Sequence, residues 1–182
     1  MEDKEIILRC LSGEIEIFEM LVIKYQADVL SMTWSVLGDK EEAKDVTQEA
    51  FIQTYLNLNR FDSTKSFRNW LYAIAYKRCL DRKRKERSLS RFIQKAIKEK
   101  NLNTEAEFEE KRLECSETFG PILNKLNEKE RTAIYLKMSN GYTAKEISEI
   151  FNCAESTVRV YLLNAKRKLK KLLKEKKHVS TF

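Results

Sequence analysis

The sequence predicts an all-α protein made of two small helical domains joined by a polar linker. Its 182 residues include only 4 Gly and 1 Pro, so the turn-forming residues that separate β-strands are scarce. Apolar side chains recur at steps of three and four along most of the chain, which is the period of amphipathic helices. This period weakens between residues 88 and 120, where acidic side chains cluster. We expect the first domain at residues 1–90, the linker at 91–121, the second domain at 122–176 and a tail at 177–182.

The first domain is expected to begin with three helices. Apolar residues at helical spacing cover residues 5–37, and Gly13 divides them into a short first helix and a longer second one. Asp39 and Glu42 have the three-residue spacing of a capping box. This pair predicts a third helix that runs to about Arg60.

A loop and a basic helix are expected to complete the first domain. Residues 61–66 carry turn formers without an apolar period, and a helix follows over about 66–87. Along this helix aromatic side chains (Phe67, Trp70, Tyr72 and Tyr76) alternate with bases (Arg68, Lys77, Arg78, Arg82, Lys83, Arg84, Lys85 and Arg87). Bases that follow a phosphate backbone and rings that stack on unpaired bases are typical of single-stranded nucleic-acid sites. A domain this small also needs buried aromatics, so we expect most of these rings in the core.

The second domain is expected to end in a helix-turn-helix. Two pairs at capping-box spacing mark the starts of its first two helices: Asn127 with Glu130, and Thr143 with Glu146. A tight connection follows Phe151, and Ser156 is expected to cap a last helix that runs to about Lys174.

One face of this last helix carries the side chains that suit duplex DNA. Its apolar side is a row of Val158, Leu162, Ala165, Leu169 and Leu172. The opposite side carries Arg159, Val160, Leu163, Asn164 and Arg167. Guanidinium and amide groups beside aliphatic side chains match the acceptors, donors and methyl groups of the major groove. Lysines at 166, 168, 170 and 171 would neutralise phosphates.

The charge distribution supports contact with a polyanion at two places. The net charge is +7, but residues 1–59 carry 5 bases and 12 acids, whereas residues 60–91 carry 11 bases and 3 acids. A second basic block at residues 163–182 has 8 bases and 1 acid. Each basic block lies beside one of the two candidate nucleic-acid elements, which favours a function in nucleic-acid binding.

The same sequence gives little support for catalysis, a cofactor or a metal. Its cysteines, at 10, 79, 115 and 153, are isolated from one another, so we expect free thiols without a zinc or CxxC site. The single histidine, His178, lies in the polar tail, and phosphate loops and nucleophile motifs are missing. No apolar run reaches the roughly 20 residues of a membrane span, and the MEDKE start is acidic, so we expect a cytoplasmic protein without membrane insertion.

Three segments of the first domain resemble region 2 of the extracytoplasmic-function (ECF) sigma factors of bacterial RNA polymerase. They are EAKDVTQEAF at residues 42–51, FRNWLYAIA at 67–75 and DRKR at 81–84. The second domain resembles region 4 of the same family, and the likeness covers nearly the whole chain. It implies a promoter-specificity subunit without catalytic activity of its own. The implied partners are the largest and second-largest subunits of core RNA polymerase, promoter DNA and an anti-sigma factor.

The resemblance also implies roles for three groups of residues. The core-polymerase surface comprises Asp45, Gln48, Glu49 and Ile52. The minus-10 group comprises Phe61, Asp62, Ser63, Lys65, Arg68, Trp70, Lys77, Arg78 and Arg84. The minus-35 group comprises Arg131, Thr143, Ser156, Thr157, Arg159, Val160, Leu163, Asn164 and Arg167. The chain departs from many relatives at Lys77, where Asn is frequent, and at Val160, Leu163 and Asn164.

Two other classes of protein share parts of this pattern. A one-component helix-turn-helix regulator would bind DNA without polymerase, but its first domain should show a ligand pocket or a dimer seam rather than a basic, aromatic helix. A nucleic-acid enzyme would need a carboxylate cluster or a catalytic base. The acidic residues here fall on solvent faces or in the linker, so we rank the enzyme last.

Overall fold

The computed structural model describes residues 1–99 and 125–179. These ranges contain helices and no β-strand, which confirms the all-α fold class. The elements are α1 (Asp3–Leu11), a 3-10 turn (Ile15–Phe18), α2 (Glu19–Leu37), α3 (Lys40–Leu56), a 3-10 turn (Leu58–Arg60), α4 (Phe67–Glu99), α5 (Glu128–Ser139), α6 (Ala144–Phe151) and α7 (Glu155–Val179). Most of the expected linker, together with Cys115, and residues 180–182 of the expected tail lie outside the described residues.

Local sequence signals account for the boundaries of the first three helices. Gly13 follows α1 at a φ of +106°, and Gly38 ends α2 at +82°; both angles lie in the left-handed region that suits glycine. The Asp39 carboxylate caps α3 by accepting a hydrogen bond from the Glu42 N–H at 2.9 Å. The break at Gly13 and the cap at Asp39 are therefore confirmed. Helix α3 ends at Leu56, and a separate 3-10 turn replaces its expected last turn.

Helix α4 is longer than the sequence predicts. It continues past residue 87 to Glu99 and so extends into the expected linker. Residues 67–99 contain neither glycine nor proline, and they are rich in Lys, Arg, Leu and Glu, which propagate a helix well. The predicted end relied on the weakening of the apolar period. A helix can lose that period and still continue where its charged residues remain in water.

Capping boxes open α5 and α6 as predicted. Asn127 Oδ1 accepts from the Glu130 N–H at 2.9 Å, and the Glu130 carboxylate accepts from the Asn127 N–H at 3.1 Å. The same reciprocal pair joins Thr143 and Glu146. This arrangement lowers the pKa of Glu146, mainly because its carboxylate accepts the Thr143 backbone N–H.

Helix α7 starts two residues earlier than expected, since a cap at Ser156 would have placed its first residue at Thr157. Asn152 is left-handed (φ +49°) and ends α6. The Ala154 carbonyl then accepts the N–H groups of Thr157 and Val158 at 3.0 and 3.4 Å, so α7 starts at Glu155. Ser156 lies within the first turn and is not the cap that the sequence predicted. Backbone geometry at Ala154 replaces the side-chain cap.

The capping box of α5 gives a first testable prediction. Asn127→Ala should lower the free energy of unfolding by about 1 kcal/mol, because the Glu130 N–H loses its acceptor. Urea unfolding followed by circular dichroism measures the change. Asn59→Ala, at an exposed position in the 3-10 turn before Phe61, is the matched control. Equal unfolding midpoints for the two variants would contradict the role of Asn127 as the cap of α5.

The two groups of helices share one hydrophobic core. Buried side chains from α1 to α4 join buried side chains from α5, α6 and α7 in a single cluster. Helix α2 packs on α3 and also on α5, and α4 packs on α3 and also on α6. A small second cluster of Leu126, Ile134 and Ala165 joins α5 to α7. The outer surfaces of α3 and α7 stay free of this packing and carry much of the candidate site.

Candidate nucleic-acid and protein interfaces

The outer face of α3 is acidic with one large apolar side chain. Asp45, Gln48 and Glu49 are exposed, and Ile52 is 60% exposed. The other side of α3 supplies Ala43, Val46, Thr47, Ala50, Phe51 and Thr54 to the core, so the predicted residues form one outward surface. An acidic surface with an exposed isoleucine suits a protein partner better than a nucleic acid, since phosphates would repel the carboxylates.

Two arginines of α4 contact this side of α3. Arg82 Nη2 lies 2.8 Å from Glu49 Oε1 in an exposed ion pair. Arg78 donates to the side chain of Gln53 and is half-buried. The family resemblance groups Arg78 with the minus-10 residues, whereas in the structure its guanidinium binds α3. Because the partner lies on another helix, periodicity along α4 alone gives no signal for this contact.

The loop before α4 presents a small polar turn beside an aromatic cluster. The Asp62 carboxylate accepts from the hydroxyl and the backbone N–H of Thr64, at 2.7 and 3.0 Å. These hydrogen bonds lower the pKa of Asp62. Ser63 and Lys65 are exposed next to it. These hydrogen bonds stabilise a local turn, and the exposed Ser63 and Lys65 side chains carry hydrogen-bond donors beside it.

Phe61 and Trp70 are half-buried and pack on each other. Their ring centroids are 5.0 Å apart, and both rings contact the buried ring of Phe67. The cluster lies at the junction of the loop and α4. Each outer ring keeps a partly open surface that can accept another planar group.

The minus-10 residues on α4 itself differ in exposure. Lys77 and Arg84 are exposed. Arg68 is half-buried, with its Nη2 atom 3.0 Å from Asp28 Oδ2 and its guanidinium 5.1 Å from the ring centre of Tyr142. Tyr72 is fully buried, as expected of a core ring, and burial raises its pKa well above the ordinary value. In this conformation the Arg68 guanidinium therefore contacts side chains of α2 and of the segment before α6.

Helix α7 presents the predicted recognition face to solvent. Arg159, Val160, Leu163 and Arg167 are exposed, and Val160 and Leu163 keep 51% and 47% of their surface accessible. Ser156 is also exposed, whereas Thr157 and Asn164, at the edges of this face, are half-buried. On the inner side Val158 and Ala165 are completely buried. Two large aliphatic side chains left in water beside arginines are a poor surface for a monomer and a good one for the major groove.

Two residues of the minus-35 group make other contacts. The Arg131 Nε–H donates to the Ser35 carbonyl at 2.7 Å, in the last turn of α2. The Thr143 hydroxyl and N–H hold Glu146 in the capping box. Nothing near Arg131 in the sequence signals its contact, since the partner lies 96 positions earlier in the chain.

Lys168 has a structural partner that its sequence position does not reveal. Its Nζ lies 2.7 Å from the Glu130 carboxylate, whose side chain is only 3% exposed. Glu130 therefore completes the capping box and also joins α5 to α7. In this structure Lys168 binds the Glu130 carboxylate, whereas the sequence pattern predicts that it neutralises a phosphate.

The cysteines and acidic residues of the described ranges were compared with the requirements of a metal site. Within residues 1–99 and 125–179 no group of three or more His, Cys, Asp or Glu side chains could hold a metal ion. Cys10 and Cys79 are buried free thiols, and burial raises the pKa of Cys79. No helix in the described ranges is long and apolar enough to cross a membrane.

Comparison with family models identifies both halves of the chain. The model of sigma-70 region 2 matches residues 21–89, and the model of sigma-70 region 4 matches residues 121–169. The first match includes α2, α3 and the basic part of α4. The second includes the helix-turn-helix and most of α7. Helix α1 lies outside both matches.

Curated relatives extend the match to nearly the full length. The ECF RNA polymerase sigma factor SigW of Bacillus subtilis is 30% identical over 185 residues, covering 94% of this chain and 97% of the relative. The ECF RNA polymerase sigma-E factor of Escherichia coli K12 is 30% identical over 176 residues, covering 91% of each chain.

Solved structures share the fold. CnrH in complex with the cytosolic domain of CnrY has a TM-score of 0.67 and 21% identity, covering 95% of this chain and 97% of the other. The sigma factor RpoE in complex with the anti-sigma factor NepR, from Bartonella quintana, has a TM-score of 0.68 and 21% identity, covering 86% of this chain and 96% of the other. With an exposed recognition helix, an acidic α3 face and relatives matched along their length, this chain belongs to the ECF sigma factors of the sigma-70 family.

Proposed function

We propose that this chain binds core RNA polymerase and directs transcription initiation at promoters with defined minus-35 and minus-10 elements. The observation that carries the proposal is the exposed α7 face, on which two large aliphatic side chains lie in water between arginines. The polymerase performs the chemistry, and the chain supplies binding alone. It acts where polymerase and chromosome are found, in the cytoplasm.

The acidic face of α3 is the proposed contact with the largest polymerase subunit. Asp45 and Glu49 would pair with basic side chains of the partner, and Ile52 would supply the apolar contact at the centre. Gln48 adds an amide between them. The second group of helices is proposed to lie near the second-largest subunit, as the family resemblance implies.

The loop at 61–66 and the start of α4 are the proposed minus-10 site. Opening the duplex frees bases that can stack on the partly open rings of Phe61 and Trp70. Ser63 and Lys65 offer donors beside these rings, and Lys77 and Arg84 continue a basic path along α4 for the phosphates. Asp62 is ionised at neutral pH, as an ordinary aspartate is, and hydrogen bonds from Thr64 lower its pKa further, so its carboxylate can only accept hydrogen bonds from the bases.

The exposed face of α7 is the proposed minus-35 reader. Arg159 can donate two hydrogen bonds to a guanine edge, and Val160 and Leu163 can contact thymine methyl groups. Asn164 lies one helical turn after Val160, and its amide can pair with adenine. Arg167, Thr143 and Thr157 are the proposed phosphate contacts beside the groove, and Ser156 lies in the first turn of the helix.

We also propose control by an anti-sigma factor. Two solved relatives support this, because CnrH is bound to the cytosolic domain of CnrY, and RpoE is bound to the anti-sigma factor NepR. The exposed Ile52 on α3 and Leu163 on α7 are apolar positions that such a partner would cover.

A gel-shift experiment with and without core polymerase tests the proposal against the one-component regulator. The chain should bind a promoter duplex weakly alone and much more tightly with core, because the polymerase holds the two elements at a fixed spacing. Core polymerase without the chain is the control. Tight, sequence-specific binding by the chain alone, unchanged by core, would favour the regulator instead.

A further inference from the structure

Two helix faces keep large apolar side chains in water. On α3, Ile52 and Leu56 are 60% and 66% exposed and lie one turn apart. On α4, Leu89, Phe92 and Ile93 are 61%, 71% and 37% exposed, and their spacing places them on one side of the helix. Of these five residues, the family resemblance gives a role to Ile52 alone. Neighbouring apolar groups that stay exposed together mark a binding surface more often than isolated ones.

Both faces carry charged groups followed by apolar groups. The α3 stripe comprises Asp45, Glu49, Ile52 and Leu56, and the α4 stripe comprises Arg82, Lys85, Leu89, Phe92 and Ile93. The charged half is acidic in the α3 stripe and basic in the α4 stripe. Each stripe extends over 12 residues, which is about 18 Å of helix. The two stripes therefore match in length and in the order of their groups, and their charges are opposite.

Within one chain only the charged halves of the stripes meet. Arg82 pairs with Glu49 at 2.8 Å, and Arg78 donates to Gln53, so α3 and α4 run in opposite directions. Phe92 lies 10 residues beyond Arg82, and Leu56 lies 7 residues beyond Glu49 towards the other end of the pair. The helical rise therefore separates Phe92 from Leu56 by about 25 Å along the helices. The apolar halves of one chain cannot cover each other.

An open groove places both stripes on the same surface of the molecule. A cavity of about 290 Å³ is lined by Glu49 of the α3 stripe, by Arg82 and Lys85 of the α4 stripe, and by Arg78 and Asp81. Lys85 is exposed at this groove. A second chain that approaches the groove can therefore contact both stripes at once.

We propose that this surface binds a second copy of the chain, with the α4 stripe of one copy lying along the α3 stripe of the other in the same direction. The acidic half then meets the basic half, and the two apolar halves cover each other. Because the chain supplies both stripes, the same contact forms twice in a two-fold dimer. The dimer covers Asp45 and Glu49 and so competes with core polymerase; this consequence alone rests on the proposed function.

Sedimentation velocity of the purified chain over a range of concentrations tests the dimer without polymerase. The wild type should change from monomer to dimer as the concentration rises. Phe92→Glu should raise the dimer Kd about tenfold or more, because it places a carboxylate among apolar groups. Met138→Glu is the matched control, since Met138 is 75% exposed outside both stripes, and it should dimerise as the wild type does. A wild-type chain that stays monomeric at every concentration would overturn the proposal.

Exchange of charges tests which surfaces meet. Asp45→Lys with Glu49→Lys makes the α3 stripe basic, and Arg82→Glu with Lys85→Glu makes the α4 stripe acidic. Each double variant alone should be monomeric, because like charges then face each other at both contacts. An equimolar mixture of the two should form a heterodimer, because every contact again joins opposite charges. Dimers of either variant alone, or a monomeric mixture beside a dimeric wild type, would overturn the pairing of α3 with α4.

Binding to core polymerase distinguishes a second copy from polymerase as the occupant of the α4 stripe. At concentrations below the dimer Kd, Phe92→Glu and Met138→Glu should bind core with equal affinity. If the wild type stayed monomeric and Phe92→Glu bound core more weakly than Met138→Glu, polymerase would cover this stripe and the proposal would be overturned. The dimer measurements use the free chain, so a failure of the proposed function would leave them unaffected.

Discussion

A chain that carries Asp45→Lys and Glu49→Lys should lose most of its affinity for core RNA polymerase and keep its fold. Both side chains are exposed and lie off the buried stripe of α3, so the core is untouched. The change replaces two attractive charges with two repulsive ones at the proposed interface. Charged pairs of this kind are worth about 2 kcal/mol or more, which is roughly a thirtyfold change in Kd.

The fold is expected to survive because the ion pair that this variant loses is weak. Glu49 pairs with Arg82 at the surface, and exposed pairs contribute about 1 kcal/mol at most. Glu5→Lys with Glu16→Lys is the matched control, since both positions are exposed and lie outside α3. Fluorescence anisotropy of labelled chain titrated with core measures the two Kd values. Equal affinity for the two double variants would refute the α3 assignment.

Arg159→Ala should change which sequence the chain prefers at one position of the minus-35 element. A bidentate contact between arginine and guanine contributes about 1–3 kcal/mol of discrimination against the other bases. The ratio of activities between the preferred base and the other bases at that position should therefore fall by about five- to 150-fold. The present partner of Arg159 is Glu155, in an exposed pair with Nη2 to Oε1 2.7 Å apart. Breaking that pair costs little, so it does not prevent Arg159 from reaching a base.

Lys166→Ala with Lys170→Ala should act differently on the same promoters. Both lysines are exposed on α7 beyond the reading face, so their removal should weaken binding alike on all sequences. The salt slope should fall by about one unit for each phosphate that is no longer neutralised. Transcription from a promoter series at two salt concentrations separates the two effects. If Arg159→Ala reduced activity equally on every promoter, Arg159 would only position the helix, and base reading would move to Ser156, Val160 or Asn164.

Features set by local sequence were predictable. The caps at Asp39, Asn127 and Thr143 depend on residues three positions apart, and the structure confirms each of them. The buried row of α7 and its exposed face follow from helical periodicity, which requires no knowledge of the rest of the fold. These features include the recognition face of the candidate site.

Contacts between distant parts of the chain were not predictable from these patterns. The sequence marks Arg68, Arg78 and Arg131 as bases available to DNA, but in the structure they bind Asp28, Gln53 and Ser35. Amphipathicity shows that a helix has an apolar side without showing which helix covers it. The stacking of Tyr76 on Phe151 therefore appears only in the folded chain.

Transcription by core polymerase on a template library with randomised minus-35 and minus-10 segments tests the central claim most directly. Core with the wild-type chain should give transcripts whose templates share one motif in each segment, and core alone should give only background. The Asp45→Lys, Glu49→Lys variant should return the yield to that background. If core with the wild-type chain gave the same transcripts as core alone, the chain would not be a promoter-specificity subunit for that polymerase, and the proposed function would be contradicted.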